Sequence, residues 1–238
     1  MQRNISFLAS MALPKGMDAR VYDEVFENAV ALVNPNNASP AQKSAWFVFV
    51  NAWHGLADRV VASNSYSDAF STSIRTPKAQ RYDQDHALFG FSASALSSIE
   101  CLCMGCYGAG AMISPKHFSM RNAESLLQSP KSVSKCYSKL DTTLPISIEL
   151  ELISSSDAFQ ELSDLRNALS HRGTLARSDQ PKPGPSPQTI PSNPKELPEH
   201  FRYSCELVPE LTTTHMAWVL QSVNTLAKAL LQFIPKRT

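Results

Sequence analysis

The segment Leu162-Ser163-Asp164-Leu165-Arg166-Asn167-Ala168-Leu169-Ser170-His171-Arg172-Gly173 gathers residue types that metal-free phosphodiester chemistry requires. Cleaving RNA without a metal needs a base for the 2′-hydroxyl proton and a cation for the charge that builds on the phosphate. Histidine titrates near neutral pH, so His171 suits the base, or the acid that protonates the leaving oxygen. Arg166 offers a planar fork matched to phosphate oxygens. Asn167 can orient the imidazole or donate to a phosphate oxygen. Asn167 and His171 stand four residues apart, hence on one face if the segment is helical, and the long arm of Arg166 reaches the same mouth.

Spacing alone carries little. Chance supplies roughly 0.8 Arg-to-His pairs at separations of this kind in a chain of this composition, and Arg81 with His86 is such a pair. Demanding an asparagine directly after the arginine lowers the expectation to about 0.04. With Asn167 in place and the motif closing an amphipathic segment, it resembles the signature of the HEPN superfamily of helical ribonucleases and nucleotide-binding proteins. That signature is an Arg, a polar residue, and a His after four to six intervening positions. The resemblance implies an all-α helical bundle with Arg166, Asn167 and His171 as catalytic residues. It also implies a homodimer in which two motifs face one cleft, no cofactor, and RNA as substrate. A toxin or defence effector held by an antitoxin or another regulatory protein is the biological setting it suggests. The alternative within the same fold is a non-catalytic nucleotide- or protein-binding module, with Asn167 and His171 merely capping the last-turn carbonyls. A purely structural helical protein is the third reading.

Residues that would grip RNA are sought among the cations. Lys131, Lys135 and Lys139 recur every four positions and form one basic stripe, with Lys116 and Arg121 nearby against Glu124. This stripe and Arg172 are the expected backbone contacts, a solvated lysine face being the plain alternative. Glu100 is the lone charge in an apolar stretch, expensive there unless paired, and is expected either to bond and orient Arg166 or to form a plain structural ion pair.

Other chemistries fit poorly. Cys101, Cys103 and Cys106 crowd an apolar helix without matched ligands elsewhere, so no metal is expected. Asp83-x-x-His86 has no twin of the kind a di-metal bundle needs. A Walker loop, a dinucleotide glycine fingerprint and a Gly-x-Ser-x-Gly elbow are all missing. Net charge is +1, from 22 basic and 21 acidic residues, which argues against nucleic-acid wrapping by bulk electrostatics. Five cysteines, an odd number, suit free thiols in a reducing cytoplasm.

The elements that would hold the motif are helices throughout. Tyr22, Val25, Phe26, Ala29 and Val33 make one stripe. Ser39-Pro40 opens a second helix, expected to end near Ser63, with a polar linker from there to Thr76. A long helix is expected from about Gln80 to Met112. Its Gly105, Gly108 and Gly110 predict a close helix neighbour. The stretch Ala87–Ile113 is apolar enough to suggest a membrane span, but Glu100 and several serines favour a buried central helix and no membrane role. Ile5–Leu13 resembles a signal sequence too weakly to predict secretion. Ser129-Pro130 opens a short helix. Asp157 is expected to cap the motif helix with Gln160 as its partner, Ala158, Leu162, Leu165 and Leu169 to face the core, and Gly173 to end it. Pro181–Pro198 holds seven of the sixteen prolines and reads as a flexible loop. Val219, Val223, Leu226 and Leu230 then mark a final helix of about 25 residues. The expected architecture is a single helical domain over 17–236, with a Pro-rich loop at 174–207 and an N-terminal extension at 1–16.

Overall fold

The computed structural model describes residues 13–33, 38–76, 81–120, 129–172 and 210–235; the side chains of His171 and Arg172 fall outside it. Among the described residues there are seven helices and no strand. They are α1 (Ala19–Leu32), α2 (Pro40–Arg75), α3 (Arg81–Ile113), α4 (Pro130–Ser138), α5 (Pro145–Ser155), α6 (Asp157–Arg172) and α7 (Glu210–Phe233). The all-α expectation holds. The Pro-rich loop, the N-terminal extension to residue 12, Arg121, Glu124, Gly173 and Cys205 lie outside the described residues.

Packing forms two compact units: Met1–Val61 with Ser98–Ser154 and Leu220–Thr238, and Ala62–Ser97 with Ser155–Val219. Helices α2, α3 and α7 each run through a unit boundary, so neither unit is one continuous stretch of chain.

In the first unit, α1 begins where Asp18 caps it, its carboxylate accepting from the Val21 amide at 3.2 Å. The Asp18 amide donates to Asn224 on α7, and Asn224 donates to the Gly16 carbonyl. Gly16 has φ +95°, and a Cβ there would meet Leu220 at 2.6 Å, so only glycine makes this turn without strain. The α1 stripe buries Tyr22, Val25 and Ala29 as its spacing requires. Tyr22 and Trp53 stack with ring centroids 4.9 Å apart. Each also donates to the other's carbonyl, at 2.7 and 3.2 Å. This satisfies both polar handles of two large aromatics inside the core. The small-residue expectation for α3 is realised here: a Cβ on Gly108 would lie 2.8 Å from the Phe49 backbone nitrogen, and one on Gly105 would press on Trp53. Backbone contact that close excludes any side chain.

Ser129 caps α4 with Pro130 in its first turn, as expected. The Tyr137 hydroxyl donates to the Cys106 carbonyl at 2.6 Å. Helix α5 follows, over residues to which the sequence reading assigns nothing. Alternating Ile146, Ile148, Leu150 and Leu152 hides its helical period. The period shows in Ile146, Leu150 and Ile153, which are buried. Ser134 donates to the Ser147 carbonyl at 3.0 Å and Ser138 bonds the Ser147 hydroxyl at 2.6 Å, so α4 and α5 lie side by side.

The second unit corrects two expectations. Residues 63–76 are not a linker: α2 continues to Arg75. Its inward positions there are Ser63, Ser67, Phe70 and Ser73, all buried. Ser67 donates to Thr212 at 2.9 Å and Ser73 to the Phe70 carbonyl at 2.7 Å. Serine fills the stripe that aliphatic residues usually mark, because small hydroxyls can pack at close range and find acceptors locally. The second correction concerns the start of α6. Ser156, not Asp157, is the cap, its hydroxyl accepting from the Phe159 amide at 3.3 Å. Asp157 becomes the first helical residue, where its charge suits the helix N-terminus. Gln160 bonds Asp164 instead.

Helix α3 is long and apolar enough to cross a membrane by composition, yet 67% of its most apolar window is buried in the protein. That is how a core helix packs.

Candidate functional site

The motif helix α6 is anchored by its apolar face. Leu165, Ala168 and Leu169 pack with Phe70, Ala87 and Leu88, and Ile74 and Leu211 lie against them. The opposite face carries the polar motif residues. Asn167 is exposed and Arg166 half-buried. An Arg166 Nη lies 3.4 Å from Asn167 Oδ1. Arg166 therefore has a neighbour that already accepts from it, and further interactions besides.

The α6 backbone continues as helix through His171 and Arg172. At about 100° per residue, position 171 sits about 40° round from Asn167 and one turn further on, remote from the Leu165–Leu169 face. So the helix brings Arg166 and Asn167 together and sets His171 on their side of the element. Contacts of the His171 and Arg172 side chains lie outside the described residues.

Lys131, Lys135 and Lys139 are exposed on α4 and at its C-terminal cap, as one stripe, but in the first unit, whereas the motif belongs to the second. Glu100 also belongs to the first unit and is exposed. Burial therefore does not oblige it to pair, although it has interactions of its own. Arg81 pairs with Asp85 at 3.4 Å and His86 stacks on Tyr82, which engages both members of the chance Arg–His pair at the start of α3.

One feature of the motif helix escapes the sequence. His215 on α7 is buried, and its Nδ1 donates to the Leu211 carbonyl at 2.7 Å. Nε2 lies 3.0 Å from Glu161 of α6, a carboxylate whose side chain is 60% exposed. A carbonyl only accepts, so Nδ1 carries a proton, and the Glu161 contact then needs a second, on Nε2 or on the carboxyl. The pair ties α6 to α7 one and a half turns before Arg166. Nothing in the spacing of residues 161 and 215 announces it.

Among the described residues, no group of three or more His, Cys, Asp or Glu is placed to hold a metal ion. Burial pushes the Cys103 and Cys106 thiols well up, so these are poor ligands and poor nucleophiles. Cys101, Cys103, Cys106 and Cys136 are in no disulfide among the described residues.

No family model, curated protein or solved structure significantly matches this chain.

Proposed function

We propose that the chain is a metal-independent endoribonuclease of HEPN type, working at the outward end of α6 in a reducing cytoplasm. The observation that carries this reading is the juxtaposition of Arg166 and Asn167 on the solvent side of a core-anchored helix, with position 171 one turn beyond. In the proposed reaction His171 takes the proton of a 2′-hydroxyl. The 2′-oxygen attacks the adjacent phosphorus as the P–O5′ bond breaks, and the 5′-oxygen takes a proton from the protonated His171 or from the histidine of a second copy's motif. The products are a 2′,3′-cyclic phosphate and a 5′-hydroxyl end. Arg166 neutralises the phosphate oxygens as charge builds, and Asn167 holds the guanidinium or donates to the same oxygens. A second copy would supply the opposing motif, as the family resemblance implies. Arg172, next to the histidine, would contact the RNA backbone. A toxin or defence role under a regulatory partner fits this chemistry.

Incubation of the protein with single-stranded RNAs in EDTA tests the reading. Cleavage should proceed and leave cyclic phosphate ends. His171→Ala and Arg166→Ala should each lower the rate by about a hundredfold or more. Helical circular dichroism of each variant should match the wild type, which separates loss of chemistry from loss of fold. Undiminished cleavage by His171→Ala would remove the catalytic assignment.

A second reading is favoured by one contact. Arg166 already donates to Asn167, so the two polar groups satisfy each other without a ligand. A non-catalytic HEPN-like module that binds nucleotide or protein would use the same face. It is distinguished by a wild type that cleaves no RNA yet loses ligand binding on Arg166→Ala.

A further inference from the structure

Helix α3 presents an aromatic face to solvent near its start. Tyr82, His86 and Phe89 follow one another at i, i+4 and i+7, and all three are exposed, Tyr82 by 72% and Phe89 by 39%. The rings are ordered. Tyr82 and His86 lie parallel within 7°, with centroids 5.9 Å apart, and Tyr66 of α2 meets His86 edge-on at 6.2 Å. Tyr66 lies over Gly90, where a Cβ would collide with its ring. The surface is a shallow aromatic trough with half-buried Tyr66 as one wall. All four aromatic residues belong to the second unit. Large rings aligned on the solvent side of a helix serve binding rather than the helix's own core.

The chain carries a matching ligand in its own Pro-rich stretch. Pro185, Pro191 and Pro194 recur at multiples of three, the period of polyproline II, which advances about 9 Å per turn. Tyr82 and Phe89 stand about 10 Å apart along α3, so Pro191 and Pro194 match the two ends of the aromatic face. Proline-rich chain docks in aromatic troughs because its rings fit between flat faces and its backbone has little freedom left to lose. With Pro191 at Phe89 and Pro194 at Tyr82, Lys195 comes beside Asp83, which is exposed and opposite in charge. The chain enters and leaves this stretch close by. Arg172 closes α6 one turn beyond Leu169, and Leu211 of α7 packs against the same cluster, which includes Ala87 and Leu88. Helical period puts Ala87 and Leu88 on the side of α3 opposite the aromatic face, about 10 Å across the helix. From either end the intervening chain spans roughly 50 Å or more when extended, ample to pass round α3. We propose that the Tyr82, His86 and Phe89 face of α3 is the docking site of the chain's own segment 185–194. Docking here stands apart from the nuclease reading, since no residue of the α6 motif takes part. Single-stranded RNA fits the rings less well, because exposed Asp83 borders them and would repel its phosphates.

Limited trypsin digestion of the full chain, read by mass spectrometry, tests it. Docking shields the Lys195–Glu196 bond, because a protease needs the chain lifted off its surface. In Tyr82→Ala/Phe89→Ala the cut after Lys195 should come about tenfold faster than in the wild type. Pro191→Ala/Pro194→Ala, which alters no residue of the helices, should accelerate it similarly. Combining the two pairs should add nothing further, since both remove one contact. A synthetic peptide of residues 185–194, added in excess, should speed the cut in the wild type and not in Tyr82→Ala/Phe89→Ala. The cut after Lys228 in α7 should keep its rate throughout, which separates release of the segment from unfolding. A cut after Lys195 as fast in the wild type as in both pairs overturns the proposal, as do accelerations that multiply in full when the pairs are combined. Binding of oligouridylate by the wild type, lost in Tyr82→Ala/Phe89→Ala with the cut after Lys195 unchanged, would assign the face to nucleobases and equally overturn it.

Discussion

At Arg166 and Asn167 two side chains of the motif lie against each other on α6, and Leu165 and Leu169 on either side of them are buried. Both facts follow from one helical period, which is why this part of the candidate site is legible in the sequence. Glu161 and His215 are not, because 54 residues separate them and their bond depends on how α7 lies along α6. His215→Leu should leave the Glu161 carboxylate without its buried donor. A loss of about 1 to 2 kcal/mol in urea unfolding is expected, with Glu161→Gln milder because an amide can still hydrogen-bond the ring. A second histidine sets a pH dependence. His54 Nε2 is buried without a hydrogen-bond partner and its ring stacks on Phe26. Burial lowers its pKa below the usual 6.5, against the opposing pull of Asp58. The unfolded chain then binds the proton more readily than the folded one, so His54 disfavours folding as pH falls below about 6.5. Thermal melts at pH 7 and pH 5 should show a fall in Tm that is smaller in His54→Leu; an unchanged difference would contradict this account.

Aliphatic spacing located α1, α3, α4, α6 and α7 to within a few residues. It stopped α2 at Ser63, because Ser63, Ser67 and Ser73 occupy inward positions that the apolar pattern cannot mark. It passed over α5, whose alternating Ile and Leu mimic the strand period. Both elements are helices because partners accept these faces: Thr212 bonds Ser67, and α4 receives Ser147. Ser67→Ala should therefore cost only about 1 kcal/mol, the net worth of one buried hydroxyl bond. Gly108→Val should cost at least about 2 kcal/mol, since its added carbons meet the Phe49 backbone rather than a movable side chain. Equal effects of the two in urea unfolding would show that the α2–α3 approach is looser than these distances imply.

At the scale of the molecule, α2, α3 and α7 each extend by several turns into both compact units. A helix that melts in one unit loses the hydrogen-bond register that continues it into the other, so unfolding is expected to be cooperative. Trp46 and Trp53 lie in the first unit and Trp218 in the second, so the fluorescence of a Trp218→Phe protein reports the first unit, whereas helical circular dichroism reports the whole chain. The two signals should give coincident urea midpoints. The buried thiols supply a third probe: Cys103 and Cys106 should resist a disulfide reagent until the same midpoint, while Cys101 and Cys136, partly exposed, react earlier. Fluorescence falling well before the helical signal would mean that the first unit unfolds alone.

Periodicity and caps sufficed to determine that the described residues are all-helical, most of their helix boundaries, and the element that carries Arg166, Asn167 and His171. These are local properties, fixed by residues three or four apart. Which serines face inward, which carboxylate His215 holds, that Glu100 meets water, and that the lysine stripe and the motif belong to different packing units were decided by tertiary structure alone. Each depends on which surface of one helix meets another, and burial on contact is a property of pairs of elements distant in the chain.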